Sequence, residues 1–254
     1  MIRLKDITSG YKKIKVIKNI NICFENGSIT SIIGKNGCGK TTLLKTASNL
    51  LKPFSGDVLL NGESIYNMSN KNIARKISFL PQIRNVPSIS VYNLVMHGRF
   101  PHLGFPRIPQ DEDKAIVENA LEKLGIKKHR NKNLKELSGG ERQKVYIAMV
   151  LAQDTDYIFL DEPTTYLDIN HQLEILDIIK ELKDMGKTVV MVIHDLNSAL
   201  IYSDRVCLIN KGEIVIYDTP KAVYNSRQIE KVFHLKCDEV YIDRKGQSQY
   251  VFSI

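Results

Sequence analysis

Apolar residues near the start of the chain fall at extended spacing. Ile2, Leu4 and Ile7, then Val16-Ile17, Ile20, Ile22 and Phe24, mark short strand-like segments separated by polar turns and ending at Glu25-Asn26-Gly27. A β-branched run follows, Ser28-Ile29-Thr30-Ser31-Ile32-Ile33, then a glycine-rich stretch, then Thr42-Leu43-Leu44-Lys45-Thr46-Ala47, which carries helical character. The predicted order there is strand, loop, helix. Further strand signals lie at Gly56-Asp57-Val58-Leu59-Leu60, ahead of the Asn61-Gly62 turn, and at Ile77-Ser78-Phe79-Leu80, ahead of Pro81-Gln82.

Over residues 83–153 the pattern turns helical, with Val91-Tyr92-Asn93-Leu94-Val95-Met96 and an amphipathic run over 115–124 opened by Asp111-Glu112-Asp113. Between these helices, Pro101, Gly104, Pro106 and Pro109 predict a rigid exposed connection and a candidate docking surface. The α/β pattern resumes with Tyr157-Ile158-Phe159-Leu160, a helix over 172–183, the run Thr188-Val189-Val190-Met191-Val192-Ile193 and a helix after Asp195. Val240-Tyr241-Ile242 and Tyr250-Val251-Phe252 predict a small hairpin closing the chain over 238–254. The expected organisation is one α/β core in two pieces, 1–82 and 154–235. A helical subdomain is inserted at 83–153, and 236–254 forms a small extension.

Composition changes this picture little. The chain has 254 residues, 43% hydrophobic and 25% charged, which sets disorder aside and allows a large core. No apolar run is long enough to cross a bilayer, and Met1-Ile2-Arg3-Leu4-Lys5-Asp6 lacks the apolar core of a signal peptide, so a cytoplasmic setting is expected. Cys23, Cys38, Cys207 and Cys237 are scattered without metal-ligand spacing and read as reduced thiols. The net charge of +8 suits nucleic acid, an anionic membrane surface or a phosphate ligand. Because the basic residues are spread along the chain rather than stacked in one tract, no nucleic-acid partner is expected.

The candidate chemistry begins at Gly34-Lys35-Asn36-Gly37-Cys38-Gly39-Lys40-Thr41, a full match to G-x-x-x-x-G-K-[ST] in the strand–loop–helix context that this motif requires. Its glycines let successive backbone N–H groups and the helix N-terminus face a triphosphate. Lys40 adds a point charge and Thr41 offers a hydroxyl to Mg²⁺. A ligand-free glycine turn is the bland alternative, and the flanking elements weigh against it. Tyr157-Ile158-Phe159-Leu160-Asp161-Glu162 is an apolar strand ending in two carboxylates. Asp161 is placed to hold the Mg²⁺ shell, and Glu162 to orient or deprotonate a water attacking the γ-phosphate. Ser138-Gly139-Gly140 opens a helix and makes a second anion site of hydroxyl and N–H donors. One nucleotide has one triphosphate, so the simplest explanation is that this second site closes on ATP held by another copy of the chain. An ordinary helix cap is the alternative.

The phosphate loop, Leu137-Ser138-Gly139-Gly140-Glu141-Arg142-Gln143, Asp161-Glu162-Pro163 and His194, in this order, resemble an ABC-transporter ATPase over nearly the whole chain. The resemblance implies a P-loop NTPase with a RecA-like α/β core, an N-terminal antiparallel β-subdomain and the inserted helical subdomain. It implies ATP and Mg²⁺ as ligands, bound by residues 34–42 including Thr42, with Ser138, Gly139 and Gly140 supplied from the partner of a head-to-tail homodimer. Tyr11 is then the residue that stacks on adenine, Gln82 joins the Mg²⁺ shell and senses the channel, Asp168 lies at the dimer contact, and His194 contacts the γ-phosphate. Taken singly, a tyrosine or histidine is far more often packing than ligand, and only the ordered set raises them.

Lys35 stands where the family usually has proline, and Tyr166 where it more often has a small residue. Lys35 reads as a solvated loop charge. His97-Gly98-Arg99-Phe100-Pro101-His102 and Glu162-Pro163-Thr164-Thr165-Tyr166-Leu167-Asp168-Ile169-Asn170-His171-Gln172 further resemble the ATPases of iron-chelate importers. Those energise uptake of ferric siderophores, haem or cobalamin from the cytoplasmic face of the membrane, through a separate permease served by a substrate-binding protein. Two other readings remain at this level, an exporter subunit and a soluble ABC ATPase acting on nucleic acid or the ribosome. The second lacks the long coiled-coil insertion or second motif set that such proteins tend to carry.

Overall fold

The computed structural model describes residues 1–82, 85–242 and 247–254. The first strands are longer than the hydrophobic spacing predicts. β1 (Ile2–Tyr11) pairs antiparallel with β2 (Ile14–Phe24) along nearly its full length. The polar positions that suggested turns are bulges instead. Asp6 and Asn19 take left-handed backbone (φ 50° and 47°), and the register shifts beside Ile7. A bulge bends the strand without ending the ladder, and period-2 reading loses the strand there.

β3 (Ile29–Ile33) leads through the glycine-rich loop into α1 (Lys40–Ala47), so the helix begins two residues before the predicted Thr42. β4 (Ser55–Leu60) turns at Asn61-Gly62, both left-handed, into the two-residue β5 (Glu63–Ser64). α2 (Asn70–Ala74), β6 (Ile77–Leu80) and α3 (Val91–His97) follow. α4 (Asp111–Lys123) matches the predicted amphipathic run, and α5 (Gly139–Ala152) completes the helical stretch. Its expected first residue, Ile83, lies outside the described residues. Then come β7 (Tyr157–Asp161), α6 (Ile169–Asp184), β8 (Thr188–Val192) and α7 (Leu196–Tyr202). α6 starts three residues before the predicted Gln172 because the Asp168 side chain caps it, accepting the His171 N–H. β9 (Arg205–Asn210), β10 (Glu213–Asp218), α8 (Pro220–Asn225) and α9 (Gln228–Phe233) carried no sequence prediction of their own. β11 (Lys236–Ile242) and β12 (Gln247–Ser253) form the expected terminal hairpin, starting two residues early.

Two sheets carry the architecture. β2-β1-β4-β5 is antiparallel. The central sheet runs β10-β9-β3-β8-β7-β6, parallel except at the β10 edge. β3, β7 and β8 are buried at every position, as strands covered on both faces must be. Alternate residues serve separate cores. Ile29, Ile158, Leu160, Val189 and Met191 pack with the helices α3 to α9. Ile32, Tyr157, Phe159, Val190 and Val192 pack with α1 and the N-terminal sheet. The catalytic candidates sit at the carboxyl ends of β3, β7 and β8, where a parallel sheet presents its ligand edge.

One buried ion pair ties the segments of the helical stretch to one another. Arg99 Nε donates to Asp113 Oδ1 at 2.9 Å and its Nη1 to the Ala152 carbonyl at 2.9 Å. Burial alone would raise the Asp113 carboxyl. The Gln110 N–H and the Arg99 guanidinium outweigh burial and hold it below its ordinary value. A depressed folded value contributes stability above the unfolded carboxylate range, lost as pH falls through the folded value. Arg99→Ala strands the buried carboxylate and is expected to cost about 3–5 kcal/mol in urea unfolding at neutral pH, less in acid. An unchanged midpoint would remove this pair from the account.

Candidate functional site

Gly34 ends β3 at φ 153° with its α-carbon against the Ile209 carbonyl. A Cβ there would come within 2.3 Å of that oxygen, so the tight turn out of the strand requires glycine. Lys40, buried at the start of α1, folds its ammonium back onto the Gly34 and Lys35 carbonyls at 2.8 and 3.2 Å. Asn36, Gly37, Gly39, Lys40, Thr41 and Thr42 form one wall of an open cleft of about 480 Å³. Tyr11 and Val16 stand at its side, and Gln82, Glu162, Thr165, Tyr166 and His194 close it opposite the loop. Gly34, Lys35 and Cys38 lie outside these walls. Cys38 is buried and Lys35 is exposed.

Thr41 Oγ1 donates to Asp161 Oδ1 at 3.1 Å, joining the loop to the end of β7. Burial, with the adjacent Glu162 charge, raises the Asp161 carboxyl above its ordinary value. Glu162 takes left-handed backbone, φ 56°, uncommon for a residue with a side chain and a mark of a constrained position. Three groups surround its carboxylate. His194 Nε2 lies 2.7 Å from Oε1, while Gln82 Nε2 and Thr165 Oγ1 donate to Oε2 at 2.6 and 3.1 Å. Gln82 thus meets the carboxylate of Glu162 as well as facing the cleft. Thr165 went unpredicted, although the residue three positions beyond a turn acid is the place to look for such a donor.

An oxygen-only pair, hydroxyl and carboxylate, beside an open glycine loop is the donor set a hard dication takes. At Gly37, φ 76°, no other atom lies within 4 Å of a Cβ position, so the loop backbone is accessible to a phosphate. A triphosphate with Mg²⁺ therefore fits the residues present. Among the described residues no group of three or more His, Cys, Asp or Glu side chains gathers to hold a metal by itself.

Ser138, Gly139 and Gly140 are not among the walls of this cleft. Ser138 caps α5, its Oγ accepting the Glu141 N–H at 3.2 Å while Glu141 Oε2 accepts the Ser138 N–H at 2.9 Å. The Ser138 N–H and hydroxyl hold the Glu141 carboxyl below its ordinary value. His129, buried, stands 3.0 Å from the other Glu141 oxygen. Gly140 lies under the His171 ring, where a Cβ would come within 2.0 Å of Cδ2, and His171 Nδ1 is 2.7 Å from Asp168 Oδ2. The glycine pair and the turn after Glu162 are in this way packed onto each other.

Phosphate loop, strand-end acid pair and a serine-capped helix opening on two glycines, on this fold, define a P-loop nucleoside triphosphatase of the ATP-binding-cassette class. The profile of ABC transporters matches residues 17–165, and the chain belongs to that family as an ATP-binding, ATP-hydrolysing subunit. It is 44% identical to the iron(3+)-hydroxamate import ATP-binding protein of Bacillus subtilis (strain 168), over 91% of this chain and 87% of that one. It is 41% identical to the ferric enterobactin transport ATP-binding protein of Escherichia coli (strain K12), over 93% and 88%. Among solved structures, an ABC transporter assigned to the metal-chelate type superposes with a TM-score of 0.86 at 25% identity, covering 100% of this chain and 97% of that one. A dimeric bacterial ABC transporter cassette superposes at 0.76 with 29% identity, covering 87% and 99%.

Proposed function

We propose that this chain energises import of a metal chelate of the ferric siderophore, haem or cobalamin type, as a head-to-tail homodimer on the cytoplasmic face of a separate membrane permease. The observation that carries the dimer is the exclusion of Ser138-Gly139-Gly140 from the cleft that holds the phosphate loop. A second set of phosphate donors outside the first site needs a second copy to use it. The cargo follows the relatives, whose names specify iron(3+)-hydroxamate, enterobactin, petrobactin and achromobactin. No helix among the described residues is long and apolar enough to cross a membrane. The periplasmic or surface substrate-binding protein meets the permease and is an indirect partner.

In this reading Tyr11 stacks on adenine and the loop of residues 34–42 cradles the phosphates, with the Lys40 ammonium swinging from the Gly34 carbonyl to the β- and γ-oxygens. Thr41 and Asp161, joined by Gln82, would hold Mg²⁺, which would supply positive charge against the phosphates. Glu162 accepts a proton as water attacks the γ-phosphorus and the bond to the ADP oxygen breaks. His194 steadies both the Glu162 carboxylate and the γ-phosphate. Loss of the γ-phosphate then removes what joined Ser138-Gly139-Gly140 to the facing loop, and the halves part. The chain divides as 1–82 with 154–235, 83–153, and 236–254, so closure moves the helical piece against the core.

The face turned to the permease is the proline-bearing connection. Phe105 is fully exposed there, as Ile108 and Phe100 are in part, and Lys71 of α2 and Arg75 just beyond it hold the backbone of this connection through the Leu103 and Pro101 carbonyls at 3.2 and 3.0 Å. Uptake of labelled ferric siderophore, haem and cobalamin, in cells carrying the intact chain or its Glu162→Gln variant, tests the cargo. Selective loss of one of the three uptakes is expected, and the one lost names the cargo. Retention of all three uptakes would contradict the import reading.

A further inference from the structure

Behind the phosphate loop, back to back with the nucleotide cleft, lies an open concavity of about 580 Å³. Lys35 projects into it from the loop, Lys211 and Asn210 from the β9–β10 turn, and Gln228, Lys231 and His234 from α9 and its end. No carboxylate lines it, and none of these lysines nor His234 has an ion-pair partner among the described residues. Lys211 and His234 are held in left-handed backbone, φ 50° and 58°, which fixes where their side chains leave the chain. Like charges gathered around one hollow without counter-charge leave a strongly positive potential there.

The hollow is also joined to the catalytic loop. The Gly212 N–H donates to the Cys38 carbonyl at 3.1 Å, and Gly34 abuts the Ile209 carbonyl so closely that no Cβ fits between them. Asn36 and Gly37 wall both this hollow and the nucleotide cleft. Apart from the imidazole of His234, no ring stands in it to stack on a purine, and its polar donors are ammonium groups and side-chain amides.

We propose that this concavity is a second anion site, taking a compact polyanion of the pyrophosphate class and coupled to the nucleotide through the shared Asn36-Gly37 wall. Lys35, Lys211 and Lys231 supply the ammonium contacts, with the Asn210 and Gln228 amides completing the donor set. The assignment stands apart from the cargo and from the dimer.

The test is calorimetric titration of pyrophosphate into the full-length chain saturated with ADP, so that the nucleotide cleft is filled. One further pyrophosphate is expected to bind per chain. In the Lys211→Gln/Lys231→Gln variant, two lost charge-assisted contacts on an exposed site raise its dissociation constant about ten-fold or more. ADP affinity in that variant stays within about two-fold, since neither lysine touches the cleft. Three results overturn the proposal: no pyrophosphate binding once ADP is saturating, which makes the nucleotide cleft its only site; equal binding by the variant; or binding abolished by about 0.2 M sodium chloride in both proteins alike, which marks diffuse surface attraction.

Discussion

Glu162→Gln is expected to lower kcat for ATP by about 10²-fold or more, the range a positioned general base contributes, with nucleotide affinity preserved. Gln82 and Thr165 already donate to Oε2, and His194 Nε2 lies on Oε1. All three neighbours present donors to a carboxylate that can only accept. An amide of the same shape removes the proton acceptor and forces its own NH2 to face one of those donors. The backbone of the turn, with Glu162 at φ 56°, is unaffected by the change, so the loss falls on chemistry rather than on folding. ATP-bound dimers should then accumulate. Steady-state kinetics together with nucleotide titration check this, and a kcat within about ten-fold of the parent would remove the general-base role from Glu162.

Lys40→Ala has the second largest expected effect, this time on binding. The ammonium is buried and held by the Gly34 and Lys35 carbonyls. It is therefore pre-positioned, and phosphate oxygens replace those carbonyls when nucleotide enters. Loss of a charge-assisted contact of that kind raises the ATP dissociation constant about 10-fold to 100-fold. Titration with a fluorescent ATP analogue reads it. Affinity within about two-fold of the parent would mean that the loop backbone alone carries the phosphates.

The site was legible in the sequence where its chemistry demands contiguous residues. A phosphate loop has to be built from neighbouring N–H groups, so residues 34–42 announce it. The acid pair at the end of an apolar strand announces the sheet edge, and Ser138-Gly139-Gly140 announces the start of a helix. What stayed hidden depends on contacts between distant segments. Nothing local says that Thr165 and Gln82 reach the same carboxylate oxygen, or that Gly140 is glycine because His171 lies on it. The bulges at Asp6 and Asn19 broke the alternation that would have marked β1 and β2 as long strands. The β9–β10 pair, whose Gly212 holds the phosphate loop from behind through Cys38, drew no attention because it carries no catalytic side chain. Lys35 reads from the sequence as a solvated loop charge, and its place in the hollow behind the loop depends on the β9–β10 turn and α9, distant in sequence.

The proposed cycle depends on one arrangement, a nucleotide held by one copy and completed by Ser138-Gly139-Gly140 of the next. Light scattering during size exclusion, with ATP present, tests it directly when Glu162→Gln is compared with Glu162→Gln/Ser138→Arg. The single variant is expected to run as a dimer with ATP and as a monomer without it. The double variant should remain monomeric while binding ATP with affinity within about two-fold of the single variant, because Ser138 lies outside the cleft of its own chain. An ATP-dependent dimer that survives Ser138→Arg, or a monomer whose ATP affinity collapses with it, would contradict the shared site.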